Sequence, residues 1–207
     1  MNTKNYNRIF LQLTKGLRRD GITPESLTKL LKAQSGESVE WPSDTAFREA
    51  WLTKSAYDLG NAKLVYILAC LNETYLTGKV EPLSFENQPS IEHIMPRAWT
   101  SQWPLPDGSK GMNELEQLVA DADDERAVLS HARDRSVQTM GNLTILMQAL
   151  NSAQSNSAWP AKKPDLMKHS LLAINQDLHD VTIWDEAAIA ARGEATFERA
   201  LKVWPKG

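Results

Sequence analysis

The sequence predicts a mainly α-helical α+β protein, and three observations carry that expectation. Residues 1–80 repeat apolar side chains at helical spacing. The middle holds two short segments of alternating or β-branched apolar character, Ser90–Met95 and Gly141–Met147, set among the breakers Pro82, Pro89 and Pro96. The tail then returns to helical periodicity and closes at Trp204-Pro205. A small β-hairpin with its helix is therefore expected between helical segments. With 207 residues, 42% of them hydrophobic, the chain can build one sizeable core or two small ones.

Each element has a local reason. Tyr6, Ile9, Phe10, Leu13 and Leu17 make the first apolar stripe, and Gly21 ends it. Thr23-Pro24 supplies an N-cap with proline at the first helical position, ahead of Leu27, Leu30 and Leu31. Pro42-Ser-Asp-Thr opens a third helix with Phe47, Ala50 and Trp51. A fourth runs from about Asn61 to near Gly78. Leu83-Ser-Phe is a further strand candidate. The roughly 45 residues between the two strands are too many for a bare loop, so a helix is expected within Glu114–Arg133, with Asp121–Glu125 as its solvated face. Helices are expected again from Gln148 towards Trp159, from Leu166 to Leu178, and from about Asp185 to Val203. The organisation read from this is residues 1–80 as a helical part, 81–163 as the hairpin core with an insertion at about 97–140, and 164–207 as helices packing on the core.

Composition excludes several classes. Seven tryptophans and a charged fraction of 24% argue against disorder. A single cysteine, Cys70, excludes an intramolecular disulfide and a multi-thiolate zinc site. No run approaches the ~20 apolar residues of a membrane span, and the N-terminus lacks a secretory apolar stretch, so no membrane partner and a cytoplasmic location are expected. The net charge is −3, but residues 1–34 carry seven basic side chains against two acidic ones. That local excess suits either a phosphate backbone or a solvated helix face.

The chemistry concentrates in Glu92-His93-Ile94-Met95-Pro96, Gly141-Asn142-Leu143 and Asn151. Glu92 and His93 are successive on a strand and face opposite ways, so a bend or bulge at the strand end is needed to bring both to one site. A carboxylate and an amide oxygen are hard ligands suited to Mg²⁺ or Mn²⁺. An imidazole nearby can take a proton from water near neutral pH. Arg97, Lys162 and Lys163 flank the motif and are candidate phosphate contacts, or plain surface charge. Asn156 is a candidate phosphate or structural contact. Trp99 and Trp103 could stack on a base. His131, His169 and His179 share no ligand spacing.

These residues resemble the HNH, or ββα-metal (His-Me finger), nucleases: an acidic residue then His, an apolar pair and Pro; Asn-Leu opening the second strand; and Asn nine residues later. A wider resemblance is to the DUF1524 domain, the C-terminal nuclease part of GmrSD-type modification-dependent restriction enzymes. It rests on Ile-Glu-His-Ile-Met-Pro, Met-Gly-Asn-Leu-Thr-Ile-Leu, Leu-Asn-Ser-Ala-Gln-Ser-Asn, Lys162-Lys163 and the closing Ile-Ala-Ala-Arg…Trp-Pro, with Trp41-Pro-Ser-Asp and the helix from Asn61 ahead of them. The resemblance implies a DNA endonuclease or nickase that leaves 5′ phosphates and serves restriction or anti-phage defence. It implies His93 as general base, Glu92 and Asn151 as ligands of one Mg²⁺ or Mn²⁺, and Asn142 as the brace that presents His93. It also implies a DUF262-type nucleotide-hydrolysing sensor as partner, in the same chain or another. The chain lacks the paired CxxC knuckles that brace many HNH fingers, so helices must do so. The rival readings are a DNA-binding module inactive without its partner, and an RNA- or toxin-type nuclease.

Overall fold

The computed structural model describes residues 6–34, 40–76, 89–147, 149–150, 152–169 and 172–205. Asn151, the Leu83-Ser-Phe segment and Gly78 lie outside the described residues. The chain forms two compact units, Met1–Phe47 with Lys206–Gly207, and Arg48–Pro205. Among the described residues no helix is long and apolar enough to cross a membrane.

In the first unit, α1 (Tyr6–Asp20) and α2 (Pro24–Lys32) pack as a pair. Gly21, at φ 92°, reverses the chain, and the Thr23 side chain accepts from the Ser26 N–H as the N-cap. The crossing is close because residue 16 has no side chain: a Cβ there would lie 2.6 Å from Leu30 Cδ2. Leu13 is buried, but Phe10 is 65% exposed, so the expected stripe packs only through its C-terminal half.

α3 (Asp44–Thr53) contains the boundary and carries Trp51 into the second unit's core. A 3₁₀ turn at Ala56–Leu59 precedes α4 (Asn61–Glu73), whose Leu64, Leu68 and Leu71 are buried. β1 (Ser90–His93) pairs antiparallel with β2 (Leu143–Leu146), in the register Ser90↔Leu146, Ile91↔Ile145, Glu92↔Thr144, His93↔Leu143. The expected mainly helical α+β architecture is what forms. All four β2 residues are buried, since α4 packs on both strands and α9 (Glu186–Val203) packs on the Met140–Asn142 turn that leads into β2.

The insertion holds two helices where one was expected, α5 (Glu114–Val119) and α6 (Glu125–Val137). Asp121–Asp124 therefore lies between the two helices rather than on a helix face, and Glu125 opens α6. Asp124 caps α6 by accepting from the N–H groups of Arg126 and Ala127, a bond that local geometry favours over helix continuation. The second strand also starts later than expected, at Leu143. Gly141 and Asn142 sit in a 3₁₀ turn against α9, where a Cβ on Gly141 would lie 2.1 Å from the Ile189 carbonyl oxygen. Arg192, buried on α9, donates to the carbonyls of Gly141 and Leu143 and fixes that turn. Beyond the hairpin, α7 (Ser152–Ser155) is a single turn, followed by α8 (Trp159–His169). Of the expected helix Leu166–Leu178, the part to His169 belongs to α8, and Ala173–Leu178 is 3₁₀.

The main core of this unit joins Ile94, Met95, Trp99, Trp103, Trp159, Leu166 and Trp184. Trp99 and Trp103 are thus not open to a base: they are 0% and 5% exposed, and their indole N–H groups donate to Asp134 and to the Ser157 carbonyl. Arg133 braces them, paired with Glu186, donating to the carbonyls of Trp103 and Pro104, and lying 4.9 Å over the Trp99 ring.

Candidate active site

The end of β1 is held by one amide. Asn142 is fully buried, and its Oδ1 accepts from the Met95 N–H at 2.8 Å and from Trp184 Nε1 at 3.0 Å. Its Nδ2 donates to the carbonyls of Met95 (2.8 Å) and Val137 (2.9 Å). Both lone pairs and both N–H groups are used, which is the full capacity of a carboxamide. Asn142 therefore clamps the residues just past His93 to the last turn of α6 and to Trp184.

His93 closes β1. Its ring stacks on Tyr57, with centroids 5.3 Å apart and planes 5° from parallel. Gln138 Oε1 lies 3.4 Å from Nε2, and the Gln138 carbonyl accepts from the Ala56 N–H, so one residue ties the Tyr57 turn to α6 and touches the imidazole. An amide oxygen can only accept, so the contact suits the tautomer with its proton on Nε2, in which Nδ1 keeps its lone pair. Burial pushes the His93 pKa down to about 4, with Arg97 and Lys162 adding in the same direction and the Gln138 contact opposing. Burial likewise raises the Tyr57 phenol above its ordinary range.

Glu92 leaves the strand towards other partners. Its Oε1 accepts from Lys162 Nζ at 2.6 Å and from Ser155 Oγ at 2.8 Å. The pairing runs in regular register through His93, so the bulge expected to turn both side chains one way does not form. Glu92 instead faces α7, the turn that begins one residue after Asn151.

The family model for the C-terminal domain of the GmrSD restriction endonucleases matches residues 41–199. The chain belongs to this family. No curated protein matches it, and no solved structure does. The match makes the chain a restriction-type nuclease domain, and it spans both strands and Glu92, His93, Arg97, Asn142, Asn151, Asn156, Lys162 and Lys163.

Within this GmrSD-type domain the flanking charges divide. Arg97 is exposed in the turn after Pro96, near enough to His93 to affect its titration. Lys162 is not a surface contact: its side chain is 0% exposed, and its Nζ also donates to the carbonyls of His93 (2.5 Å) and Ser155 (2.6 Å). Burial lowers its pKa, against the pull of Glu92. Lys163 donates to the carbonyls of His179 and Val181 and ties α8 to the following loop. Asn156 is half-buried at the end of α7. Tyr57, Gln138 and Trp184 escaped the sequence reading because each reaches the site through tertiary contact, with no motif spacing to mark it; Ser155 lies inside the Leu-Asn-Ser-Ala-Gln-Ser-Asn motif, but only its contact with Glu92 gives it a role.

Among the described residues no three His, Cys, Asp or Glu side chains gather. A Mg²⁺-class ion keeps several waters and takes one or two carboxylates plus substrate phosphate. The Glu92 carboxylate, a hard oxygen donor facing α7, fits that requirement.

Proposed function

We propose that this domain is a metal-dependent DNA endonuclease or nickase of the HNH type, working in a restriction or defence system with a DUF262-type sensor. The observation that supports this best is His93: a neutral imidazole at a strand end, its ring held by Tyr57, its Nε2–H directed to Gln138 and its Nδ1 left as the base. In this reading His93 Nδ1 takes the proton of the attacking water. The low pKa keeps the ring neutral before substrate binds, and the negative charge of a bound phosphodiester raises it, favouring proton uptake. Asn142 positions the chain beyond His93, and Arg97 meets a phosphate at the rim. Glu92 and Asn151 are the residues that would hold one Mg²⁺ or Mn²⁺, which when bound supplies charge stabilisation at the scissile phosphate.

The deciding experiment incubates wild type and His93→Ala with supercoiled plasmid, modified phage DNA and RNA in Mg²⁺ or Mn²⁺. Wild type should nick or cut DNA, and His93→Ala should lose at least ~10²-fold in rate while keeping its circular dichroism. Near-normal cleavage by a folded His93→Ala defeats the assignment. Cleavage of RNA alone transfers the reading to an RNA nuclease.

A further inference from the structure

Lys162 is the least expected residue of the site. A lysine whose side chain has no exposure is rare, because its ammonium is costly to bury without partners. Here all three N–H donors are matched, by Glu92 Oε1 at 2.6 Å and by the carbonyls of His93 and Ser155 at 2.5 and 2.6 Å. Those three oxygens come from the last two residues of β1 and the last residue of α7, and the lysine itself comes from α8. Ser155 closes the network by donating its hydroxyl to the same Glu92 oxygen. The guanidinium fork of arginine is planar and could not reach three oxygens that converge on one point. The adjacent Lys163 reaches other carbonyls, those of His179 and Val181, so the Lys-Lys pair is two internal ties.

We propose that Lys162 is the resident counter-ion of Glu92. It is a positioning residue that neutralises the carboxylate and locks the end of β1 onto α7 in the absence of a divalent cation. Glu92 is then oriented towards α7 by a charge of the chain's own. The part that concerns a divalent cation rests on reading Glu92 as a ligand in the nuclease proposed above. If Lys162 is removed, Glu92 is stranded in a buried site, and an external cation becomes its only source of compensation.

The test is thermal unfolding of the whole chain, with and without Mn²⁺, for wild type, Lys162→Met, and the double variant Glu92→Gln/Lys162→Met. Without Mn²⁺, Lys162→Met should melt about 10 °C below wild type, the scale of a broken buried pair in a unit of this size. The double variant, which removes the stranded charge too, should recover roughly half of that loss. Mn²⁺ should raise the melting temperature of Lys162→Met by more than that of wild type, and should leave the double variant unmoved. A double variant that folds when Lys162→Met does not is the same result in stronger form. A double variant no more stable than Lys162→Met overturns the proposal and reduces Lys162 to packing. Recovery in the double variant with no Mn²⁺ response in any chain keeps the counter-ion and instead removes Glu92 from the metal site.

Discussion

Replacing Asn142 by alanine should cost far more than the loss of one polar side chain. The amide makes four hydrogen bonds of 2.8–3.0 Å in a site without solvent. Alanine leaves the Met95 N–H, the Trp184 indole N–H and the carbonyls of Met95 and Val137 without partners. At the low end of the cost for a stranded buried group, about 1 kcal/mol each, the loss is about 4 kcal/mol. For a unit of this size that lowers the melting temperature by about 8–16 °C. Asn142→Asp should be at least as damaging at pH 7. It keeps an acceptor for Met95 and Trp184, but sets a second carboxylate oxygen against two carbonyls and buries a charge. Activity should follow the misplacement of His93, falling by ~10²-fold even where the variant is folded. Because the defect lies in the backbone, Mn²⁺ should not restore it, whereas, with Asn151 as the proposed ligand, excess Mn²⁺ should partly restore Asn151→Ala. The assays are thermal unfolding and nicking rate against Mn²⁺ concentration. The reasoning is refuted if Asn142→Ala melts within about 2 °C of wild type, or if Mn²⁺ rescues it as well as it rescues Asn151→Ala.

Two other outcomes are expected. EDTA should abolish DNA cleavage and leave the melting temperature of the wild-type chain nearly unchanged, because the lone Cys70 provides no structural zinc site; unfolding by chelator, followed by circular dichroism, would contradict this. Gly141→Ala should destabilise by about 3 kcal/mol or more, since its Cβ meets the backbone of Ile189 and Gly193 and neither can step aside; denaturant titration gives the value, and a shift below about 1 kcal/mol would show that α9 moves freely.

What the sequence revealed and what it hid divide along the range of the forces involved. Gly21, Thr23-Pro24 and the cap Asp185 act within a few residues of themselves, and the helices they bound appear where expected. β1 and most of β2 are legible for the same reason, since their apolar β-branched residues sit between breakers. The later start of β2 depends on Arg192 and on the contact between Gly141 and α9, some fifty residues away in sequence. Lys162 and Lys163 read as exposed charge because nothing local announces that Glu92 and four backbone carbonyls wait for them; four of those five bonds come from residues far along the chain. Trp99 and Trp103, beside prolines and next to the motif, looked available to a base, yet Arg133 and α6 enclose them. The His-containing pentapeptide coincides with the end of β1, while Tyr57 and Gln138, which hold the imidazole, carry no mark at all.

The reach of Arg192 into the hairpin also sets an order of events during synthesis. Its guanidinium supplies the donors for the Gly141 and Leu143 carbonyls, and it lies 51 and 49 positions downstream of them. A nascent chain that has released both strands but not yet α9 has those carbonyls unpaired and Gly141 uncovered. Contacts of such separation form late, after their loop-closure cost has been met. The turn that carries Asn142, and with it the placement of His93, is thus completed only after α9 has been made. A ribosome that stalls short of residue 192 leaves a chain with both strands, His93 and Asn142 but an unfinished clamp.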